Sequence, residues 1–172
     1  MQPTLYLMMG LPGAGKTTTA KIIEEATGSV RLSSDEARLM IWPDPEFTQE
    51  EHIQLYEYLD DQTKSLLQSG KSVVYDANLN RLEHRQEKYD LAKEVGASVV
   101  LCWVKTPAET ALSRRIYDFE HHKLVPNNED PESMFKRIAS SIEEPLLTEK
   151  HLAFDGTKIT HEYVRNQLAA TP

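Results

Sequence analysis

Apolar residues in this chain fall in short dense runs, separated by longer stretches in which they recur every three or four positions. Five runs read as strands: TLYLMM at 4–9, VRL at 30–32, SVVY at 72–75, SVVLCWV at 98–104 and LAF at 152–154. Their alternation with amphipathic segments predicts an α/β domain, a parallel sheet with helices on both faces. The helices carry start signals. Thr48 with Glu51, and Asn80 with Glu83, have capping-box spacing, and TPAE at 106–109 sets Pro107 at a first helical position. Gly70 and Gly96 supply stops. Within 48–68, Tyr56, Leu59, Thr63, Leu66 and Leu67 recur at helical spacing and form a core-facing stripe. Two segments break the rhythm, WPDPEF after the second strand and HHKLVPNNEDP before the last, and both are expected to be mobile loops. No internal repeat, low-complexity tract or Gly/Ser/Pro-rich linker divides the chain.

Length and composition add limits. The 172 residues suit one domain, 1–172, and 40% hydrophobic with 27% charged residues is a globular balance. The single cysteine, Cys102, lies in an apolar run, where a buried inert thiol is the natural reading, and this fits a reducing compartment. No apolar stretch approaches the ~20 residues of a spanning helix, and MQPTLYLMM lacks the features of a signal peptide, so a cytoplasmic protein with no membrane partner is expected. The net charge of −8 repels phosphate polymers on average and leaves room only for a local basic cleft. Nothing in the sequence bears on oligomeric state.

The first candidate site is GLPGAGKT, after the first strand and before a helix. It matches G-x-x-x-x-G-K-[ST] in the context that motif requires. Gly10, Leu11, Pro12, Gly13, Ala14 and Gly15 would form a bare turn whose backbone N–H groups converge on a phosphate, with the helix N-terminus behind them and Thr18 in its first turn. Lys16 would reach the β- and γ-phosphates of a nucleoside triphosphate, and the Thr17 hydroxyl would bind the accompanying Mg²⁺. The plainer reading, an ordinary tight turn, needs neither the lysine nor so many glycines.

Two further polar sites accompany it. In LSSDEARLM, Asp35 and Arg38 share one face if a helix starts at Ser34. A carboxylate there can accept the proton of an attacking hydroxyl, and the arginine can hold an anionic group of the acceptor. A helix cap and an ion-paired side chain are the alternatives. In VVYDANLNRLEHR a strand ends in Asp76, placed to hold Mg²⁺ through water as a Walker-B-type aspartate does, or else to cap the turn together with Asn78.

GLPGAGKTT, SSDEAR and DANLN followed by Arg85 together resemble the AAA-type P-loop kinase family that includes polynucleotide kinase and zeta toxin. The resemblance spans nearly the whole chain. It implies a three-layer P-loop NTPase fold with a five-stranded parallel sheet and a helical lid over about 107–144, and transfer of the γ-phosphoryl of ATP or GTP to a hydroxyl. It makes Lys16 and Thr17 the phosphate and magnesium residues, Asp35 the general base, Arg38 an acceptor-binding residue and Arg114 a lid arginine. Polynucleotide kinase-like members carry a second lid arginine four residues further on. Position 118 is aspartate here, which leaves Arg115, His121, His122, Lys123 or Arg137 to replace it.

The rival class is a nucleotide-dependent ATPase or switch acting through a protein partner, although no N-K-x-D guanine motif is present. AFDGT at 153–157 resembles a phosphatase motif but has Ala153 where the nucleophile would stand, and reads as the last strand and a loop near the base. The histidines show no metal-ligand spacing. For the acceptor, a polynucleotide 5′-hydroxyl, a nucleotide sugar and a small molecule all stay open. Acidic balance favours the small molecule, whereas Arg38, Arg81, Arg85 and Lys88 could line a basic groove.

Overall fold

The computed structural model describes residues 2–121 and 129–170. In chain order the elements are β1 (Thr4–Met9), α1 (Lys16–Thr27), β2 (Val30–Ser33), α2 (Ser34–Ile41), α3 (Gln49–Gln68), β3 (Val73–Asp76), α4 (Leu82–Glu94), β4 (Ser98–Lys105), α5 (Ala108–His121), α6 (Pro131–Ser140), β5 (His151–Asp155) and α7 (His161–Ala169). The five strands form one sheet in the order β2-β3-β1-β4-β5, and every pairing is parallel.

Side-chain alternation along β1 splits the apolar residues into two cores. Leu5, Leu7 and Met9 face α2, α3 and α4, where they pack with Leu55, Leu59 and Leu67. Met8 points the other way, among Ile22 and Ile23 of α1, Phe154 of β5 and Val164 of α7. Cys102 belongs to that second core and is fully buried, and burial pushes its thiol far above the ordinary range. The expected stripe on α3 faces inward, with Leu55 joining it and Tyr56 and Leu66 at its margin.

Because all strands run the same way, their C-terminal ends share one edge, where ligands bind in open α/β sheets. Register sets neighbours there. Ser33 pairs with Asp76, and Lys105 with Asp155, so the loops after β2 and β3 lie side by side, as do those after β4 and β5.

Local signals hold with three exceptions. The Thr48 hydroxyl accepts from Glu51 N–H at 3.2 Å, but the Glu51 carboxylate accepts from the amides of Glu46 and Phe47 at 3.1 and 2.7 Å, so the WPDPEF loop is tied to α3. Asn80 does not cap α4. The helix begins at Leu82, whose N–H donates to Glu143 Oε2 at 2.8 Å, while the Asn80 side chain is engaged elsewhere. A tertiary carboxylate thus replaces the local cap. α5 begins at Ala108, one residue after the expected start. The HHKLVPNNEDP loop falls mainly on 122–128, outside the described residues. Among the described residues no helix is long and apolar enough to cross a membrane.

Candidate active site

The loop between β1 and α1 is built for close backbone approach. Gly13 has φ +76°, and a Cβ there would run into the Ala111 carbonyl of α5, so only glycine fits. The turn closes through Ala14 N–H donating to Leu11 O at 3.0 Å, and Thr106, after β4, donates its hydroxyl to Ala14 O at 2.9 Å. Helix α1 starts behind this turn with Gly15 as its cap, no side-chain cap bond and no acidic residue in its first turn. Its leading N–H groups therefore have no side-chain acceptor competing for them, which suits an anion.

Lys16 turns its ammonium back into the loop, donating to the carbonyls of Gly10 and Leu11 at 2.9 Å each. Burial lowers its pKa to about 8, against the opposing pull of Asp76 and Asp35, and the Arg115 charge lowers it further. Thr17 donates to Asp76 Oδ1 at 3.3 Å, and Arg31 Nη1 donates to the other oxygen at 2.9 Å. Burial raises the Asp76 carboxyl above its usual range even with Arg31 beside it. Arg31 also pairs with Glu36 and Glu24.

These groups open onto a cleft of about 910 Å³. Its lining includes the cations Lys16, Arg114 and Arg115. It also includes Ser33, Asp35 and Asn78, and Asp35 stands exposed in the first turn of α2. Tyr117, Asp118, Met134 and Ile138 line it from α5 and α6, and Gly156 and Thr157 from the loop after β5. Arg114 donates to Gly156 O at 3.0 Å, while the buried Arg115 Nε has no hydrogen-bond partner among the described residues. No group of three or more His, Cys, Asp or Glu side chains that could hold a metal is found among the described residues. An ion beside Thr17 and Asp76 would thus draw most of its oxygen ligands from phosphate and water.

Other candidates lie elsewhere. Arg38 is 8% exposed, sits over the Phe47 ring at 4.9 Å and pairs with Glu51 at 3.6 Å. Arg85 is fully buried, bidentate to Glu149 at 2.8 and 3.0 Å, and Lys88 is 2% exposed, bonded to Asp60 at 2.6 Å. The basic groove considered for Arg38, Arg81, Arg85 and Lys88 is therefore not formed. Only Arg81 of the four is exposed, and the others are buried against the carboxylates of Glu51, Glu149 and Asp60. Among the stand-ins for the missing arginine, Arg137 is held by Glu129 at 2.7 and 3.1 Å and His121 bonds the Tyr117 carbonyl. His122 and Lys123 lie outside the described residues. Arg115, in the cleft lining, was legible only as one of several alternatives, and Asn80 was misread as a cap.

Sheet order, glycine loop and cleft define an α/β fold of the P-loop kinase kind. The chain belongs to the AAA_33 family, an AAA domain, whose model matches residues 5–145. Among solved structures it is similar to a putative kinase from Chloroflexus aurantiacus J-10-fl, with 17% identity, 98% of each chain covered and a TM-score of 0.78. It also resembles the APS kinase CysC of Mycobacterium tuberculosis in complex with AMPPNP and APS, with 16% identity, 98% of this chain and 96% of that one covered and a TM-score of 0.71. A gluconokinase from Sinorhizobium meliloti 1021 follows at 20% identity, 98% and 91% coverage and a TM-score of 0.67. At such identities these are likenesses of fold. No curated protein sequence matches the chain.

Proposed function

We propose that the chain is a cytoplasmic kinase, one domain that transfers the γ-phosphoryl group of ATP or GTP to the hydroxyl of a small acceptor. The observation that carries this reading is the joining of Lys16, the uncapped start of α1 and the Thr17–Asp76 pair with a cleft that also holds Asp35. The loop amides and Lys16 bind the triphosphate, and Thr17 and Asp76 hold the accompanying Mg²⁺, which offsets phosphate charge when bound. Asp35 takes the acceptor's hydroxyl proton. That oxygen bonds to the γ-phosphorus as the bond to the β–γ bridging oxygen breaks, leaving a phosphate monoester and the nucleoside diphosphate. Arg114 and Arg115 stabilise charge on the transferring group. α5 and α6, within 107–144, act as a lid that excludes water.

A small acceptor is favoured over a polynucleotide. Arg85 and Lys88 are committed to the carboxylates of Glu149 and Asp60, and Arg38 is taken up by Glu51 and Phe47. An anion-binding role for Arg38 requires that pairing to open. The test is incubation with γ-labelled ATP and Mg²⁺ plus three pools: 5′-hydroxyl oligonucleotides, nucleotide sugars with nucleosides, and small alcohols including sugars. Label in the last pool is expected. Label in oligonucleotides overturns the small acceptor, and fast phosphate release without labelling in any pool overturns the kinase in favour of an ATPase or switch.

A further inference from the structure

Asn80, in the turn between β3 and α4, is 2% exposed and reaches across 70 residues of chain to the root of the glycine loop. Its Oδ1 accepts from Gly10 N–H at 2.9 Å, and its Nδ2 donates to Gly10 C=O at 3.0 Å. One planar side chain thus satisfies both backbone polar groups of a single buried residue. Asparagine supplies that donor and acceptor together at this reach, whereas aspartate supplies no donor and leucine supplies neither. On its far side Gly10 abuts β4, where a Cβ would come within 2.5 Å of the Val104 carbonyl. Gly10 is therefore pinned between the turn after β3 and strand β4.

Two further contacts give the clamp consequence. The Gly10 carbonyl also accepts the Lys16 ammonium at 2.9 Å, so the peptide that Asn80 orients seats the lysine. In addition, the backbone carbonyl of Asn80 accepts from Glu143 N–H at 2.8 Å and Arg85 Nη1 at 3.2 Å. Arg85 and Glu143 in turn anchor the segment that follows α6, through Glu149 and through the first amide of α4.

We propose that Asn80 is a positioning residue for the phosphate-binding loop, setting the Gly10 peptide and through it the placement of Lys16 and the loop amides. This rests on the reading of the loop as a triphosphate site. A leucine of similar volume leaves the buried N–H of Gly10 without a partner and its C=O with the Lys16 ammonium alone, and the backbone at Gly10 then turns to find a new acceptor.

The test compares wild type with Asn80→Leu, Asn80→Asp and a core control on α3, Leu59→Ala. Two quantities are read: Gly10 amide hydrogen exchange in the nucleotide-free protein, and affinity for Mg²⁺ with AMPPNP by calorimetry. Asn80→Leu should speed Gly10 exchange and weaken affinity at least tenfold each. Asn80→Asp, which keeps the acceptor and loses the donor, should fall between and serves if the leucine variant does not fold. Leu59→Ala should lower Tm at least as much while affinity stays within twofold of wild type. Unchanged Gly10 exchange in the Asn80 variants overturns the proposal, as does an equal affinity loss in Leu59→Ala at matched Tm. The exchange readout needs no nucleotide, so a wild type that fails to bind AMPPNP counts against the kinase while the Asn80 clamp is still decided.

Discussion

The Thr17 hydroxyl and Asp76 Oδ1, supplied by α1 and β3 from 59 residues apart in sequence, lie 3.3 Å from each other at the C-terminal edge of the sheet. A hydroxyl and a carboxylate so placed are the oxygen donors that a phosphate-bound Mg²⁺ needs from protein. Thr17→Ala and Asp76→Asn are each expected to weaken affinity for Mg²⁺-loaded triphosphate by about 10- to 100-fold. Affinity for metal-free triphosphate should change only a fewfold, and calorimetry with and without EDTA separates the two. Equal losses in both conditions would sink the assignment.

Lys16 carries a pKa lowered to about 8 by burial. In the free protein its ammonium therefore loses its proton as pH rises through 8, and phosphate oxygens beside it would restore the charge. Triphosphate binding should take up a proton at pH 8.5 and almost none at pH 6.5. Titration calorimetry in buffers of different ionisation enthalpy measures this, and zero uptake at both values would contradict it. For the folded protein alone the sign is opposite to that of a paired lysine. The charged form is disfavoured below 8, and the penalty is relieved between 8 and the unfolded value of 10.5.

Asp35 lines the same cleft as Lys16, Arg114 and Arg115, and its charge acts on Lys16. Asp35→Asn keeps size and hydrogen-bonding reach but cannot take a proton. It should leave triphosphate affinity unchanged and slow transfer by about 10²- to 10⁴-fold. Transfer at the wild-type rate, once the labelled acceptor is in hand, would remove Asp35 from the mechanism.

Arg115 and Arg137 offer a paired test, since the first lines the cleft with an unpartnered Nε and the second is held outside it by Glu129. Arg115→Ala is expected to cut kcat by about 10²- to 10³-fold, the usual cost of one charge-stabilising donor. Arg137→Ala should stay within twofold. The reverse order would move the second lid arginine to α6.

Burial alone would raise the Glu149 carboxyl. Arg85, Tyr89 and the Leu146 amide outweigh it and hold the group at about 2. The stability this contributes is present above the usual carboxylate pKa of 4.5 and is lost as pH falls from there toward 2. Urea unfolding across pH 2–6 should show that slope in wild type and a shallower one in Glu149→Gln. Arg85→Ala, which strands a buried carboxylate, should cost about 3–5 kcal/mol at pH 7.

The sheet was legible because its evidence is local and redundant. Each strand is an apolar run bounded by its own stop, and the observed bounds differ from the expected ones by at most a residue at either end. The glycine loop was legible for the same reason: GLPGAGKT carries its geometry in eight consecutive letters. What escaped depends on distant partners. Asn80 and Glu83 have the spacing of a local cap, and nothing near them in sequence announces Gly10. Arg85 and Lys88 read as surface cations because their carboxylates, Glu149 and Asp60, lie 64 and 28 positions away. Arg38 was placed correctly on α2, but its partner Glu51 belongs to the next helix. Patterns report periodicity well and pairings poorly.

The lone thiol in the second core gives the molecule a built-in gauge. Cys102 is at zero exposure in β4, between β1 and β5, with its ionisation suppressed. Maleimide or disulfide reagents can therefore reach it only when the core between β4, β5, α1 and α7 opens, and its modification rate counts openings of that core rather than motions of surface loops. Ligands that engage the cleft should slow that reaction in step with their occupancy, so one sulfur atom, with no engineered label, can rank acceptors before any turnover is measured.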